Sequence, residues 1–517
     1  MRYGIMLNED DTHFFYTRNS WQRLGEAEIR AFIRQYAGTQ VTDFLLCCAG
    51  RMVDYPSKVR DSWLDKYDQT EENGVPVNYR DNPVVRGAHR LFREEGLDFY
   101  AICIDELRKI GVRPWLSIRM NDCHCNDEPA SFLHPRIFHE HPEYRRVTHR
   151  PPIGYFDRCF DYARPEIRQM MLDSVEETVM RYDADGLEVD WQREIFCFAI
   201  GHEWEGIALL NQFMRDVRAI VNRAAEKWGH PIAVCARTLS TPQAALDCGF
   251  DVLAWAREGL IDVLVPTPRW ATTDADIPVE LWKRLLEGTG VQLAPGIEIL
   301  QKSTPQSRLI ATTVESVSAL AAQFFSFGAD KVYLFNYMDA PEPEKDAMAR
   351  HAFARHAEYP LSPQGYPRLL RTAGAPETAV SAERRHVVTY ADVGPVWFRA
   401  EQEAALPLTA QADGSPAFVR VRTGDIPAGA AVEIRLGTAA AGGLTVYANS
   451  VPCAYLRTEP VYPEYTDNPA QVFRVENDGH LPPFLVVEIL AHGQEAAIDY
   501  VEVHVLPVGC EAPDGHA

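Results

Sequence analysis

Short β-rich runs alternate with amphipathic helical segments through the N-terminal part of the chain, and no other feature constrains the fold as much. The runs lie at residues 3–7, 42–48, 114–120, 186–190, 232–237, 263–266, 292–297 and 332–336. Between them, apolar residues recur at helical spacing over 25–37, 99–110, 164–181, 207–228, 242–257, 278–287 and 313–328. A strand followed each time by a helix returns to pair in parallel with its predecessor. Eight such units within about 340 residues predict a (β/α)8 TIM barrel with enlarged loops. A doubly wound sheet is the competing arrangement. It calls for a glycine-rich phosphate loop after the first strand, where this chain reads MLNEDD.

The barrel is expected over residues 1–358. Residues 359–382 open on the Pro-rich, helix-poor text YPLSPQGYPRLL, which reads as a linker. From 383 to 508 the pattern changes to short alternating runs (HVVTY, FVRVR, AVEIRLG, LTVYANS, FLVVEIL, YVEVHVL), the signature of an all-β sandwich, and 509–517 form a tail.

Composition narrows the function classes. Asp and Glu outnumber Lys and Arg by 73 to 51, for a formal charge of −22, and no basic run stands out. That balance argues against a nucleic-acid partner or an anionic membrane surface. The N-terminal MRYGIMLNEDD lacks a signal-peptide pattern, and no apolar stretch approaches a membrane span. Many of the eleven cysteines, such as Cys47, Cys48, Cys103 and Cys235, sit inside apolar runs, as buried thiols in a reducing compartment do. A soluble cytoplasmic protein is the expectation, with homo-oligomerisation left open.

In a barrel, residues at the C-terminal ends of the strands share one mouth. Here they are Asn8, Glu9 and Asp10; Arg119, Asn121, Asp122 and His124; Glu188, Asp190 and Trp191; Arg237; Arg269 and Trp270; Glu298; and Asn336 and Tyr337. The loops at 51–84 and 121–160 are enlarged on that side. Sugars need this inventory: polar groups for ring hydroxyls, flat aromatic faces for C–H patches, and two carboxyl groups astride the glycosidic bond. The central stretch is YDADGLEVDWQRE at 182–194, where an Asp-Gly turn launches a strand carrying Glu188 and Asp190 on one face.

Two stretches carry a resemblance. DYARPEIRQMMLDSVEETVMRYDADGLEVDWQRE resembles the fourth-strand region of glycoside-hydrolase-like (β/α)8-barrel families, and ELRKIGVRPWLSIRMNDCH resembles their third strand, with its Arg-Met-Asn-Asp-x-His signature. The resemblance implies a glycoside hydrolase acting on an oligo- or polysaccharide, without cofactor or metal. The alpha-amylase family likewise closes its fourth strand with Asp-Gly-x-x-x-Asp, whose last Asp is the nucleophile, and Asp185 to Asp190 fits. CARTLS then offers Arg237 where that family has a Glu. A second template pairs the fourth-strand carboxylate with one on strand seven, here Glu298 in LAPGIEIL. Asp190 is thus the first catalytic candidate, with Glu298, Asp122 and Glu194 as candidate partners. Asn8, Glu9, Arg119, Asn121, His124, Glu188, Trp191, Arg237, Trp270, Asn336 and Tyr337 are candidate substrate ligands. The enlarged loops suggest a pocket closed on one side and exo action. A non-catalytic carbohydrate binder on a degenerate barrel and a sugar lyase are the alternatives.

Several of these residues have a plainer reading. Glu188, one layer below Asp190, reads as a buried charge paired with Arg119 or Arg237. Trp191 and Trp270 are sugar platforms if exposed and core packing if not. The DCHC run at 122–125 lacks further ligands at zinc spacing, and the first strand ends without the His-x-His of metal-dependent barrel hydrolases.

Overall fold

The computed structural model describes residues 3–10, 12–18, 24–269, 272–339, 365–392, 404–440, 443–461 and 465–509. Nine parallel strands build the N-terminal sheet: β1 (Ile5–Glu9), β2 (Val41–Ala49), β3 (Arg113–Arg119), β4 (Gly186–Asp190), β5 (Ala233–Leu239), β6 (Val263–Thr267), β7 (Gln292–Leu293), β8 (Gly296–Glu298) and β9 (Val332–Phe335). Their order is β8-β9-β1-β2-β3-β4-β5-β6-β7. The two ends of that order, β7 and β8, are consecutive in the chain, separated by Ala294 and Pro295. The fold is a (β/α)8 barrel followed by a C-terminal β-sandwich. The stretch 292–297, expected as one strand, is two short ones, because Pro295 has no N–H to continue the ladder.

Compactness divides the chain into two units, one of residues 6–269 and 282–294, the other of 1–5, 270–281 and 295–517. In the first, the helices include α1 (Glu26–Arg34), α2 (Phe99–Lys109), α3 (Pro165–Arg181) and α4 (Glu203–Trp228). Their starts and stops follow local chemistry. Asp98 caps α2 by accepting from the Ala101 amide, Pro165 opens α3 where no N–H is needed, and Gly229 closes α4 at φ 78°. Strands buried on both faces read as near-continuous apolar runs, and every residue of β2 and β4 is buried. At Gly186 a Cβ would fall 2.1 Å from the Trp115 indole on β3, so glycine alone lets these two strands pair at that level.

Register fixes what faces the barrel interior. Glu188 on β4 accepts from Asn8 Nδ2 on β1 at 3.1 Å, a contact that spans the lumen because β2 and β3 lie between those strands. Pairing of β3, β4, β5 and β6 then aligns Ser117, Glu188, Cys235 and Val263 in one layer, and Arg119, Asp190, Arg237 and Val265 in the layer above. Strand alternation gives these residues one face and sends Val189 and Ala236 to the other.

In the second unit, two antiparallel sheets face one another. One comprises β10 (Arg384–Val387), β12 (Ala431–Gly437), β15 (Ala454–Glu459), β16 (Ala470–Val475) and β18 (Tyr500–Leu506), in the order β10-β18-β12-β16-β15. The other comprises β11 (Ala417–Arg422), β13 (Leu444–Ala448), β14 (Val451–Pro452) and β17 (Phe484–Ala491), in the order β11-β17-β13-β14. Alternating residues such as Ile434, Val446, Val487 and Val503 fill the core between them. The stretch expected as a linker holds two helices, Gly365–Thr372 and Pro376–Ser381, each short and carrying a proline near its start; residues 359–364 and the tail from 510 lie outside the described residues. Among the described residues no helix is long and apolar enough to cross a membrane.

Candidate active site

The upper interior layer of the barrel carries a charged clamp. Arg237 Nη1 donates to both carboxylate oxygens of Asp190, at 3.1 Å each, with both residues fully buried. Oδ1 of Asp190 also accepts from the backbone amides of Gln192 and Arg193, each at 3.0 Å. The carboxylate therefore ends β4 by gathering the next turn over itself, in the manner of an Asx turn. The consequence is positional: the turn holds Arg193 and Glu194 at the barrel mouth.

Arg193 meets the loop that follows β3. Its Nη2 donates to His124 Nε2, while His124 Nδ1 lies 2.7 Å from Asp122 Oδ1. Guanidinium has no acceptor, so Nε2 uses its lone pair and the proton sits on Nδ1, pointing at Asp122. A neutral ring agrees with a pKa below the ordinary histidine range, caused first by burial and then by the Arg193 charge. Burial alone would raise the Asp122 pKa, but His124, Arg119 and Arg193 together hold it well below the usual carboxylate range. Arg119, on β3, also reaches Asp10 beyond β1, 2.5 Å from its Oδ2. Gly50, at the end of β2, leaves room for this carboxylate, since a Cβ there would lie 3.2 Å from Asp122 Oδ2. Arg51 secures the same loop, donating to Asn126 and to the His124 carbonyl. Access is graded. The His124 side chain is 35% exposed, Asp10 18% and Asp122 10%.

Glu194 behaves in the opposite way. It is buried, and burial pushes its carboxyl up to about 7 against the lowering pull of the Arg193 and Arg269 charges, with the Asp122 charge adding to the rise. The Arg269 guanidinium lies over the Phe156 ring, 4.8 Å from its centroid, and Phe156 packs on Phe196 at 4.6 Å. One carboxyl held low and another raised toward neutrality is the division of labour that acid/base chemistry uses.

The remaining expected site residues fall into clear groups. Asn8, Glu188 and Ser117 form a bonded set inside the barrel, where Asn8 Nδ2 and Ser117 Oγ both donate to Glu188 Oε2, the latter at 2.5 Å. Glu9 pairs with His13. Asn121 gives its amide to the Phe160 and Phe196 carbonyls and accepts from the Phe160 amide, which makes it a brace between loops rather than a sugar ligand. Trp191 is fully buried, with Tyr162, Phe213, Phe250 and Trp255 around its ring, so its place is the packing between strands and helices and not a sugar platform. In the other compact unit, Glu298 ends β8, paired with Phe335, and its carbonyl accepts from the Tyr337 hydroxyl at 3.0 Å. Asn336 there adopts φ 63° just after β9. Trp270 lies outside the described residues. Among the described residues no three His, Cys, Asp or Glu side chains converge as a metal site.

Arg193 and Gln192 have functions of position that spacing alone does not signal. Both follow from the turn that Asp190 imposes.

No protein-family model matches the chain, and no curated protein matches it. Among solved structures, the chain is similar to alpha-L-fucosidase isoenzyme 2 from Paenibacillus thiaminolyticus, at 13% identity and a TM-score of 0.40 over 69% of this chain and 50% of that one. It is similar to the PgaB (BpsB) glycoside hydrolase domain from Bordetella bronchiseptica at 12% identity and a TM-score of 0.38, over 68% of this chain and 98% of that one. It is also similar to the chitinase ChiW from Paenibacillus sp. str. FPU-7, at 10% identity and a TM-score of 0.40 over 96% and 56%. The chain spans half the length of the first of these structures.

Proposed function

We propose that the protein is a glycoside hydrolase in which Glu194 is the general acid and Asp122 its ionised partner. The observation that carries this reading is the opposed tuning of the two carboxyls at one barrel mouth, Asp122 held down by its His124 hydrogen bond and by Arg119 and Arg193, and Glu194 raised to about 7 by burial. Glu194 gives its proton to the glycosidic oxygen as the bond to the leaving sugar stretches. Asp122 offsets the positive charge that develops on the ring, and the anomeric carbon then bonds either to Asp122, to be released by water, or directly to a water whose proton Asp122 takes. Arg193 and His124 keep Asp122 ionised and oriented. Asp190 and Arg237 hold the turn that carries Glu194, so Asp190, the first candidate from sequence, acts as a positioning residue in this scheme.

The test is a panel of aryl glycosides and oligosaccharides with Asp122→Asn and Glu194→Gln. Each substitution should lower kcat by roughly 10²-fold to 10⁴-fold, the usual worth of a positioned acid or base. A panel on which the unaltered protein binds sugar but releases no product favours a carbohydrate-binding protein. An unsaturated product absorbing in the near ultraviolet favours a lyase. The stereochemistry of the released anomer completes the description, since carboxyl groups about 5–5.5 Å apart retain configuration and those about 6.5–9.5 Å apart invert it.

A further inference from the structure

On the mouth side of the barrel, three segments enclose a groove of about 440 Å³: residues 59–61 of the loop after β2, residues within 135–144 of the loop after β3, and the first turns of α3 at Glu166 and Met170. Helices of a barrel begin at the end where its strands finish, so α3 brings these residues to the same side as Asp122 and Glu194. None of the groups assigned to catalysis lines the groove. Its volume is that of a small-molecule site, which falls at roughly 300–1,000 Å³.

The lining is of two kinds. Val59, Ile137 and Met170 supply apolar contact, and Tyr144 supplies a half-buried aromatic ring. His141 backs that ring, stacked on it at 4.6 Å and 10°, and is held in turn by Glu143, 2.8 Å from its Nδ1. The polar part is Asp61, Arg136, Glu140 and Glu166, because Arg60 spends its guanidinium on the Gly50 and Arg51 carbonyls. Asp61 accepts from the Arg136 backbone amide at 2.7 Å and from its Nε at 3.1 Å, which fixes the guanidinium plane while 80% of that side chain stays exposed. The groove is also tied to the catalytic loop. Arg51 donates to the His124 carbonyl and lies over the Phe138 ring, 4.9 Å from its centroid, in the short helix that carries Ile137 and Glu140.

We propose that this groove is an accessory binding site for a saccharide chain, distinct from the place of cleavage, in which a sugar ring stacks on Tyr144 while Arg136, Glu140 and Glu166 bond its hydroxyls. A wholly apolar ligand would strip these charges of water without replacing its bonds, and a strongly charged one would meet both signs. An uncharged ring with a C–H face and a hydroxyl edge satisfies both parts of the lining: the aromatic face takes the C–H patch, the guanidinium donates and the carboxylates accept. The proposal rests on the glycosidase reading for its ligand class and adds a second place where the same polymer is held.

The experiment is affinity electrophoresis of the full chain in native gels cast with amylose, xylan, hydroxyethyl cellulose, galactomannan or glycol chitin, in a Glu194→Gln background that spares the probe. At least one polysaccharide should retard the protein. Tyr144→Ala and Arg136→Ala should each weaken that retention, the first by about tenfold, whereas Tyr144→Phe keeps the ring and should keep the retention. Each variant should melt within a few degrees of the unaltered protein, so that lost retention reports the groove and not unfolding. With Glu194 intact, turnover of a short aryl glycoside should be unchanged in all three variants. Retention that survives both Tyr144→Ala and Arg136→Ala, a loss in Tyr144→Phe as severe as in Tyr144→Ala, or no retention by any of the five polysaccharides overturns the proposal. Hydrolysis is scored separately: an unaltered protein that releases no product from the glycoside panel overturns the glycosidase reading, while retention that depends on Tyr144 still sustains the groove.

Discussion

Arg237 Nη1 lies 3.1 Å from each carboxylate oxygen of Asp190, in a layer of the barrel where neither side chain touches solvent. The same carboxylate accepts two backbone amides of the following turn. Removing one partner from a buried pair leaves an uncompensated charge, at a cost of roughly 3–5 kcal/mol. Asp190→Asn and Arg237→Met should each lower unfolding free energy by about that much. A double substitution should recover part of the loss, as measured by urea denaturation. Activity should fall with either change, because the turn that carries Glu194 loosens.

Glu194 makes stability depend on pH. In the folded protein it keeps its proton up to about 7, whereas its ordinary value is 4.5. Between those values the native state binds more protons than the unfolded chain, so stability falls as pH rises, by about 3 kcal/mol across the window. Glu194→Gln should flatten that decline and give a higher Tm than the unaltered protein at pH 8. Melting curves from pH 4.5 to 8 check it.

Asp122 sets the acid side of the profile. Its carboxyl is held well below the usual range with His124 among the causes, so the acid limb of kcat/KM should lie well below the ordinary carboxylate range. His124→Ala removes the Nδ1 bond at 2.7 Å and should move that limb to higher pH. A pH–rate profile of the variant measures the shift.

Trp191 separates packing from substrate binding. Its ring is enclosed by Tyr162, Phe213, Phe250 and Trp255, so Trp191→Ala should cost roughly 3–5 kcal/mol of stability. Trp191→Phe should fold and keep an unchanged KM, which kinetics at a temperature well below its Tm would check.

Much of the barrel is legible in the sequence because each strand and helix carries its own period. The fourth strand at 186–190 and the sandwich strands at 431–437 and 500–506 match the structure residue for residue. Local pattern misses what depends on neighbours: Pro295 divides one apolar run into two strands, and the Pro-rich text after 364 folds into two short helices. The site was legible as an inventory of polar residues at strand ends. The division of roles within it was not, since alternation places Asp190 inside the barrel but does not report that Arg237 and two amides occupy its oxygens. Nor does any spacing reveal that Glu194 is buried deeply enough to keep its proton near neutrality.

If Glu194 donates the proton to the leaving sugar, the rate of Glu194→Gln must depend on how much the leaving group needs one. Glu194→Gln should be assayed beside the unaltered protein on glycosides of one sugar, with leaving groups from a plain sugar to an activated nitrophenol. With Glu194 as the acid, the variant loses roughly 10²-fold to 10⁴-fold on the sugar leaving group and much less on the nitrophenol that departs without a proton, and the limb near pH 7 disappears. Equal rates for the two proteins on the sugar leaving group, with the alkaline limb still present in the variant, would contradict it.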